Sequence, residues 1–113
     1  ETLPFGNARF SSVFSYDAMV HFEPLTVAAY IREIGRVLKP GGTAILHHSA
    51  HTSNPTGNFK ENSRWRNYMP AGFVAHVASR SGLDVVSYEE FGWSRRKLFQ
   101  KKTDALSVLI KRS

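Results

Sequence analysis

Residues 30–48 read YIREIGRVLKPGGTAILHH, and the fold is decided within them. Val27, Ile31, Ile34 and Leu38 recur at i, i+4, i+7 and i+11, one face of a helix, while Arg32, Glu33 and Arg36 lie off that face. Pro40 cannot continue the helix, because it has no N–H and its ring crowds the preceding turn. Lys39-Pro40-Gly41-Gly42 suits a type II turn, with Pro setting φ at the second position and Gly41 supplying positive φ at the third. Thr43-Ala44-Ile45-Leu46 is short and almost wholly apolar, as a strand buried on both faces is. Helix, turn and buried strand together predict an αβ unit of a parallel sheet.

Working outward, Phe10 to Tyr16 (FSSVFSY) mixes β-branched, aromatic and serine residues and predicts a strand. Asp17 to Phe22 is expected to be the loop or helical turn after it, and Glu23-Pro24 opens the helix with Pro at its first position. Downstream, Ser49 to Met69 is rich in loop formers and forms a connection of about 20 residues, the length of lids and binding loops. Pro70 starts a second helix that buries Phe73, Val77 and Ser81 with Val74 and Ala78, and Gly82 caps its C-terminus. Leu83 to Phe91 and Ala105 to Lys111 read as strands. They flank one basic connection and pair most simply as antiparallel neighbours.

The totals set bounds. A chain of 113 residues, 42% hydrophobic, makes at most one domain. Cysteine is absent, which excludes disulfides and thiol catalysis and allows a reducing compartment. No apolar run approaches the roughly 20 residues of a membrane span. The chain opens on Glu-Thr-Leu-Pro-Phe-Gly, with neither a Met nor a secretion signal, so it is expected to start inside a larger, cytoplasmic domain. Net charge is +6, and seven of the fifteen basic residues fall in the last nineteen positions, Arg95 to Lys102 foremost. Such a run suits an acidic partner or simply a solvated connection.

Several motifs now carry a resemblance. Leu3-Pro4-Phe5 with Phe10 and Val13-Phe14-Ser15 is similar to the lead into the fourth strand of class I S-adenosylmethionine-dependent methyltransferases. Arg36-Val37-Leu38-Lys39-Pro40-Gly41-Gly42 resembles the segment before their fifth strand, and the closing strand pair resembles strands six and seven. The chain thus resembles the C-terminal half of such a domain, of the bacterial small-molecule type, over nearly all of residues 1–113. The resemblance implies an α/β, Rossmann-like sheet, mostly parallel with an antiparallel last strand. It also implies S-adenosylmethionine as cofactor, with about half of that site in this chain. The Gly-rich turn after the first strand and the acidic residue for the ribose have no counterpart, and no G-x-G occurs anywhere.

Ligands of open α/β sheets bind beyond the carboxyl ends of the strands. By resemblance, residues closing the fourth strand line the cofactor's methionyl part, which assigns Ser15, Tyr16 and Asp17 to the cofactor. The alternative leaves Tyr16 in the core and Asp17 capping a turn. His47-His48-Ser49 with His51 is similar to the end of the fifth strand in a subset of these enzymes. Methyl transfer to oxygen or nitrogen needs a proton acceptor, for which histidine is suited. Strand alternation sends His47 and His48 to opposite faces. His48, with His21 second, is the expected base, and His47 is assigned to the substrate. Hydrogen-bonded structural histidines remain the other reading. Four histidines (21, 47, 48 and 51) also admit a metal, but no carboxylate stands at helical ligand spacing, and no metal is expected. Arg64-Trp65-Arg66 suits a phosphate, a carboxylate or a stacked sugar ring, or else merely anchors its loop.

The expected activity is methyl transfer to a small polar acceptor, a sugar or a phosphorylated metabolite. The rivals are a catalytically inactive half-domain acting as an oligomerising module and an RNA-binding methyltransferase fragment. Aromatic interleaving is missing from the basic run apart from Phe99, which disfavours nucleic acid. Without a first strand, Phe10 to Tyr16 becomes an exposed edge, so a homodimer through that edge is expected.

Overall fold

The computed structural model describes residues 2–19, 22–52, 55–56, 67–92 and 103–113, with side chains omitted at 17 and 18. Six elements run in the order β1 (Phe10–Met19), α1 (Pro24–Val37), β2 (Leu38–Ser49), α2 (Ala71–Arg80), β3 (Leu83–Phe91) and β4 (Asp104–Lys111). The sheet order is β1-β2-β4-β3. β1 and β2 are parallel, whereas β4 lies antiparallel to both β2 and β3. Three strands therefore share one direction, as expected. Because the reversed last strand is inserted between β2 and β3, only one of the three pairings is parallel.

Pro24 occupies the first turn of α1, and Val27, Ile31, Ile34, Gly35 and Val37 are its buried residues. Leu38, expected as the last helical residue, already opens β2 and is fully buried there. The expected turn is also recast. Phe10 pairs with Leu38 and Ser12 with Thr43, so Lys39-Pro40-Gly41-Gly42 stands opposite Ser11 alone and forms a bulge in the ladder. Gly41 takes φ +79°, as the turn reading required. Gly42 is needed for space: a Cβ there would lie 2.8 Å from the Lys39 carbonyl oxygen and 3.0 Å from that of Ser11.

Residues Asp17 to Met19, expected to leave the sheet, extend β1 with a register shift after Ser15. Buried Met19 accounts for this, since it packs with the core against α1. Both helices cover one face of the sheet. Ile31, Ile34, Val74 and Ala78 meet Ala44, Leu46, Leu83 and Leu109 in a single cluster. The second helix begins after Pro70 and buries Val74 and Ala78, with Phe73 and Val77 partly buried; Ser81 ends it and Gly82 follows at φ +80°. On the opposite face Phe14, Tyr16 and Ile110 are exposed. No described helix is long and apolar enough to cross a membrane.

Candidate functional site at the carboxyl end of the sheet

β1, β2 and β3 all end at the same side, where β4 begins. His47 and His48 close β2 one residue apart and face opposite ways, as alternation requires. His48 lies on the helix-covered face, against the Tyr88 ring at 6.1 Å. Its Nδ1 donates to the Ser49 carbonyl at 2.8 Å, because a carbonyl only accepts. That fixes the neutral tautomer, so Nε2 accepts the Ser107 hydroxyl at 2.7 Å. Burial pushes the His48 pKa below its ordinary value. The Ser49 carbonyl opposes that shift, nearby His47 adds to it, and Asp104 opposes it. To act as a base, His48 would have to give up Ser107.

His47 lies on the other face and is fully buried. Its Nε2 is 2.7 Å from Asp104 Oδ2, and both side chains are sealed from solvent. Asp104 Oδ1 accepts the Thr103 hydroxyl at 3.0 Å. The imidazole is flanked by Tyr16 from β1, with centroids 4.6 Å apart, and Phe91 from β3, at 5.4 Å. Tyr16 also stacks on Phe14 at 6.4 Å. A row of rings thus crosses β1, β2 and β3 on the face away from the helices. Asp104, Ser107 and Phe91 were not singled out from sequence. Asp104 carried one signal, a carboxylate opening an otherwise apolar strand.

Ser15 points to the helix side. There it lines a cavity of about 310 Å³ with Leu3, Val13, Met19, Phe22, Tyr30 and Ile34. Ser15 and Tyr16, at the carboxyl end of β1, therefore present a hydroxyl and a half-exposed ring on opposite faces of the sheet. Asp17 lies in β1, with its side chain outside the described residues, as are His21, Arg64, Trp65, Arg66 and the basic run Arg95–Lys102. Ser49 Oγ donates to the Asn67 carbonyl at 2.5 Å and accepts the His51 amide at 3.1 Å. His51 in turn bridges to Tyr68. The two ends of the 49–69 connection are thereby pinned together beside the strand ends. Among the described residues no three histidine, aspartate or glutamate side chains converge as a metal site.

Residues 1–46 match the family model described as "Methyltransferase domain". No curated protein matches the chain by sequence. Among solved structures, the S-adenosylmethionine-dependent methyltransferase from Mesorhizobium loti superposes at TM-score 0.71 and 14% identity, over 97% of this chain and 65% of its own. The 4+2 cyclase SpnF superposes at 0.66 and 15%, over 98% of this chain and 53% of its own. Phosphoethanolamine N-methyltransferase 2 from Haemonchus contortus, in complex with phosphomonomethylethanolamine and S-adenosylhomocysteine, superposes at 0.71 and 15%, over 96% of this chain and 35% of its own. The chain spans 53% of the cyclase's length and 65% of that of the Mesorhizobium protein. The first 46 residues are thus similar to a methyltransferase domain, and nearly the whole chain has the α/β fold of these solved structures.

Proposed function

We propose that the protein containing this chain transfers a methyl group from S-adenosylmethionine to a small polar acceptor, a sugar or a phosphorylated metabolite, in the cytoplasm. The observation that carries the reading is the family match through β1 and most of β2. Fold alone does not choose the chemistry, since a cyclase shares it too. Ser15, Tyr16 and Asp17 are assigned to the cofactor's methionyl part. Arg64, Trp65 and Arg66 are assigned to the acceptor, two guanidinium groups and an indole being suited to a phosphate or a sugar. The Haemonchus neighbour, which holds a small phosphorylated amine, supports an acceptor of that class.

The test is transfer from methyl-labelled S-adenosylmethionine by the full-length protein, across matched sets of phosphorylated amines, sugars and RNA. Label is expected in a small acceptor and absent from RNA. RNA labelling, or cofactor binding without transfer to any small acceptor, would contradict the reading.

For the chain on its own we propose self-association. β1 is an edge of the described sheet, and Phe14 beside it is 67% exposed. Unpaired strand edges with apolar neighbours are templates for pairing.

A further inference from the structure

The charges of the described residues are sorted along the strands. All seven lysines and arginines among them stand toward the amino end of β1, β2 and β3, the end opposite the candidate site. Arg9 precedes β1, Lys39 lies at the start of β2, and Lys111 and Arg112 lie at the end of the antiparallel β4. Arg32 and Arg36 lie in the last two turns of α1, and Arg80 is the last residue of α2; both helices run back from the carboxyl end. Of the described acids only Glu33 and Asp84 share this end, whereas Glu23, Glu89, Glu90 and Asp104 lie toward the other.

These groups form one continuous surface. The Arg36 and Val37 carbonyls at the end of α1 accept the amides of Ala8 and Arg9, at 2.9 and 2.7 Å, and the Leu38 carbonyl accepts Lys111 Nζ at 2.7 Å. Arg112 donates to the Ser79 carbonyl, next to Arg80, at 2.7 Å, and Gly35 abuts Ser81, which brings the two helix ends together. Part of the charge is structural. Arg36 pairs with Glu33 at 2.8 Å and Arg112 with Asp84 at 2.6 Å, and cations are favoured at helix C-termini in any case. Arg9, Arg32, Lys39 and Arg80 differ: they are exposed, and none forms an ion pair or side-chain hydrogen bond with a described residue. A helix-end preference does not account for Arg9 or Lys39, which stand at the starts of strands.

Apolar surface accompanies the charge. Phe5 is 46% exposed and is held edge-on against Phe10 at 4.9 Å, next to Arg9, and Pro40 is exposed beside Lys39. Cations around an exposed aromatic ring suit the interface of a bilayer. Nucleic acid fits less well, because both helices present C-terminal carbonyls here and no N–H donors for close phosphate contacts. Adsorption to an anionic bilayer acts across about 10 Å of water and needs no such contacts. We propose that the amino end of the sheet is a docking face for an anionic lipid surface. The strands then point away from the bilayer, so the candidate site at their carboxyl ends stays open to water while the protein is bound.

The test measures co-sedimentation of the full-length protein with vesicles of phosphatidylcholine, with or without about one-third phosphatidylserine, at about 0.1 M and about 0.5 M salt. Binding is expected only with phosphatidylserine and should fall at the higher salt. The quadruple variant Arg9→Gln, Arg32→Gln, Lys39→Gln, Arg80→Gln should bind at least about tenfold more weakly, each cation near such a surface being worth roughly fivefold. Removing the same charge from the basic run, in Arg95→Gln, Arg96→Gln, Lys97→Gln, Lys101→Gln, should leave binding near the parent value. The proposal is overturned by equal binding to both kinds of vesicle, by an equal loss in the two variants, or by a stronger hold on a duplex RNA than on the anionic vesicles. The four replaced side chains of the face hold no described polar contact, so the fold does not depend on them, and the lipid and salt arms need no variant at all.

Discussion

Ser107 on β4 donates its hydroxyl to His48 Nε2 across the β2–β4 pair at 2.7 Å, and both side chains are buried. Removing one partner leaves a buried acceptor unsatisfied, which costs about 1–3 kcal/mol. Ser107→Ala should therefore lower the unfolding free energy by about that amount in urea titration. The same site sets a pH dependence. Burial holds folded His48 below its ordinary value, so the unfolded chain binds this proton more readily. The stability owed to neutral His48 is complete above about pH 6.5 and is lost as pH falls toward the folded value. Unfolding free energy should fall on acidification from pH 7.5 to 5.5, less so in the double variant His48→Leu, Ser107→Ala. An equal slope in that variant would assign the effect to other groups.

Gly35 on α1 lies against the backbone of Ser81, where a Cβ would stand 2.4 Å from the Ser81 carbonyl oxygen. Helix propensity favours Ala over Gly by about 1 kcal/mol, but overpacking against a backbone oxygen costs about 1–3 kcal/mol. Gly35→Ala should be destabilising on balance. Gly72 on α2 has nothing within 4 Å of its built Cβ, so Gly72→Ala should stabilise by up to about 1 kcal/mol. Chemical denaturation of both variants checks the pair, and a stabilising Gly35→Ala would mean that α1 and α2 do not approach as described.

The exposed β1 edge makes the isolated chain a candidate for self-pairing. Light scattering at tens of micromolar should give a dimer or larger species, and Phe14→Lys should shift it toward monomer. A wild-type chain that stays monomeric would show the edge to be tolerated unpaired.

Much of the fold was legible, because the helix stripe Val27–Ile31–Ile34 and the apolar Thr43–Leu46 run are local signals. Misplaced boundaries came from tertiary effects. Leu38 left the helix because β2 recruits it opposite Phe10, and Asp17 to Met19 joined β1 because Met19 belongs to the core. At the site, alternation correctly split His47 from His48, but nothing local says which face the helices cover. Nor does sequence spacing place Asp104 beside His47. That contact depends on β4 inserting between β2 and β3, a pairing 57 residues apart in the chain.

The central proposal is that these residues contribute to an S-adenosylmethionine site, and titration calorimetry with that cofactor tests it most directly. The full-length protein should bind at micromolar concentration, with a loss of at least tenfold in Tyr16→Ala, while the 113-residue chain alone shows weak binding or none. A full-length protein with no affinity for S-adenosylmethionine, or a 113-residue chain that binds it at micromolar concentration unaided, would contradict the account.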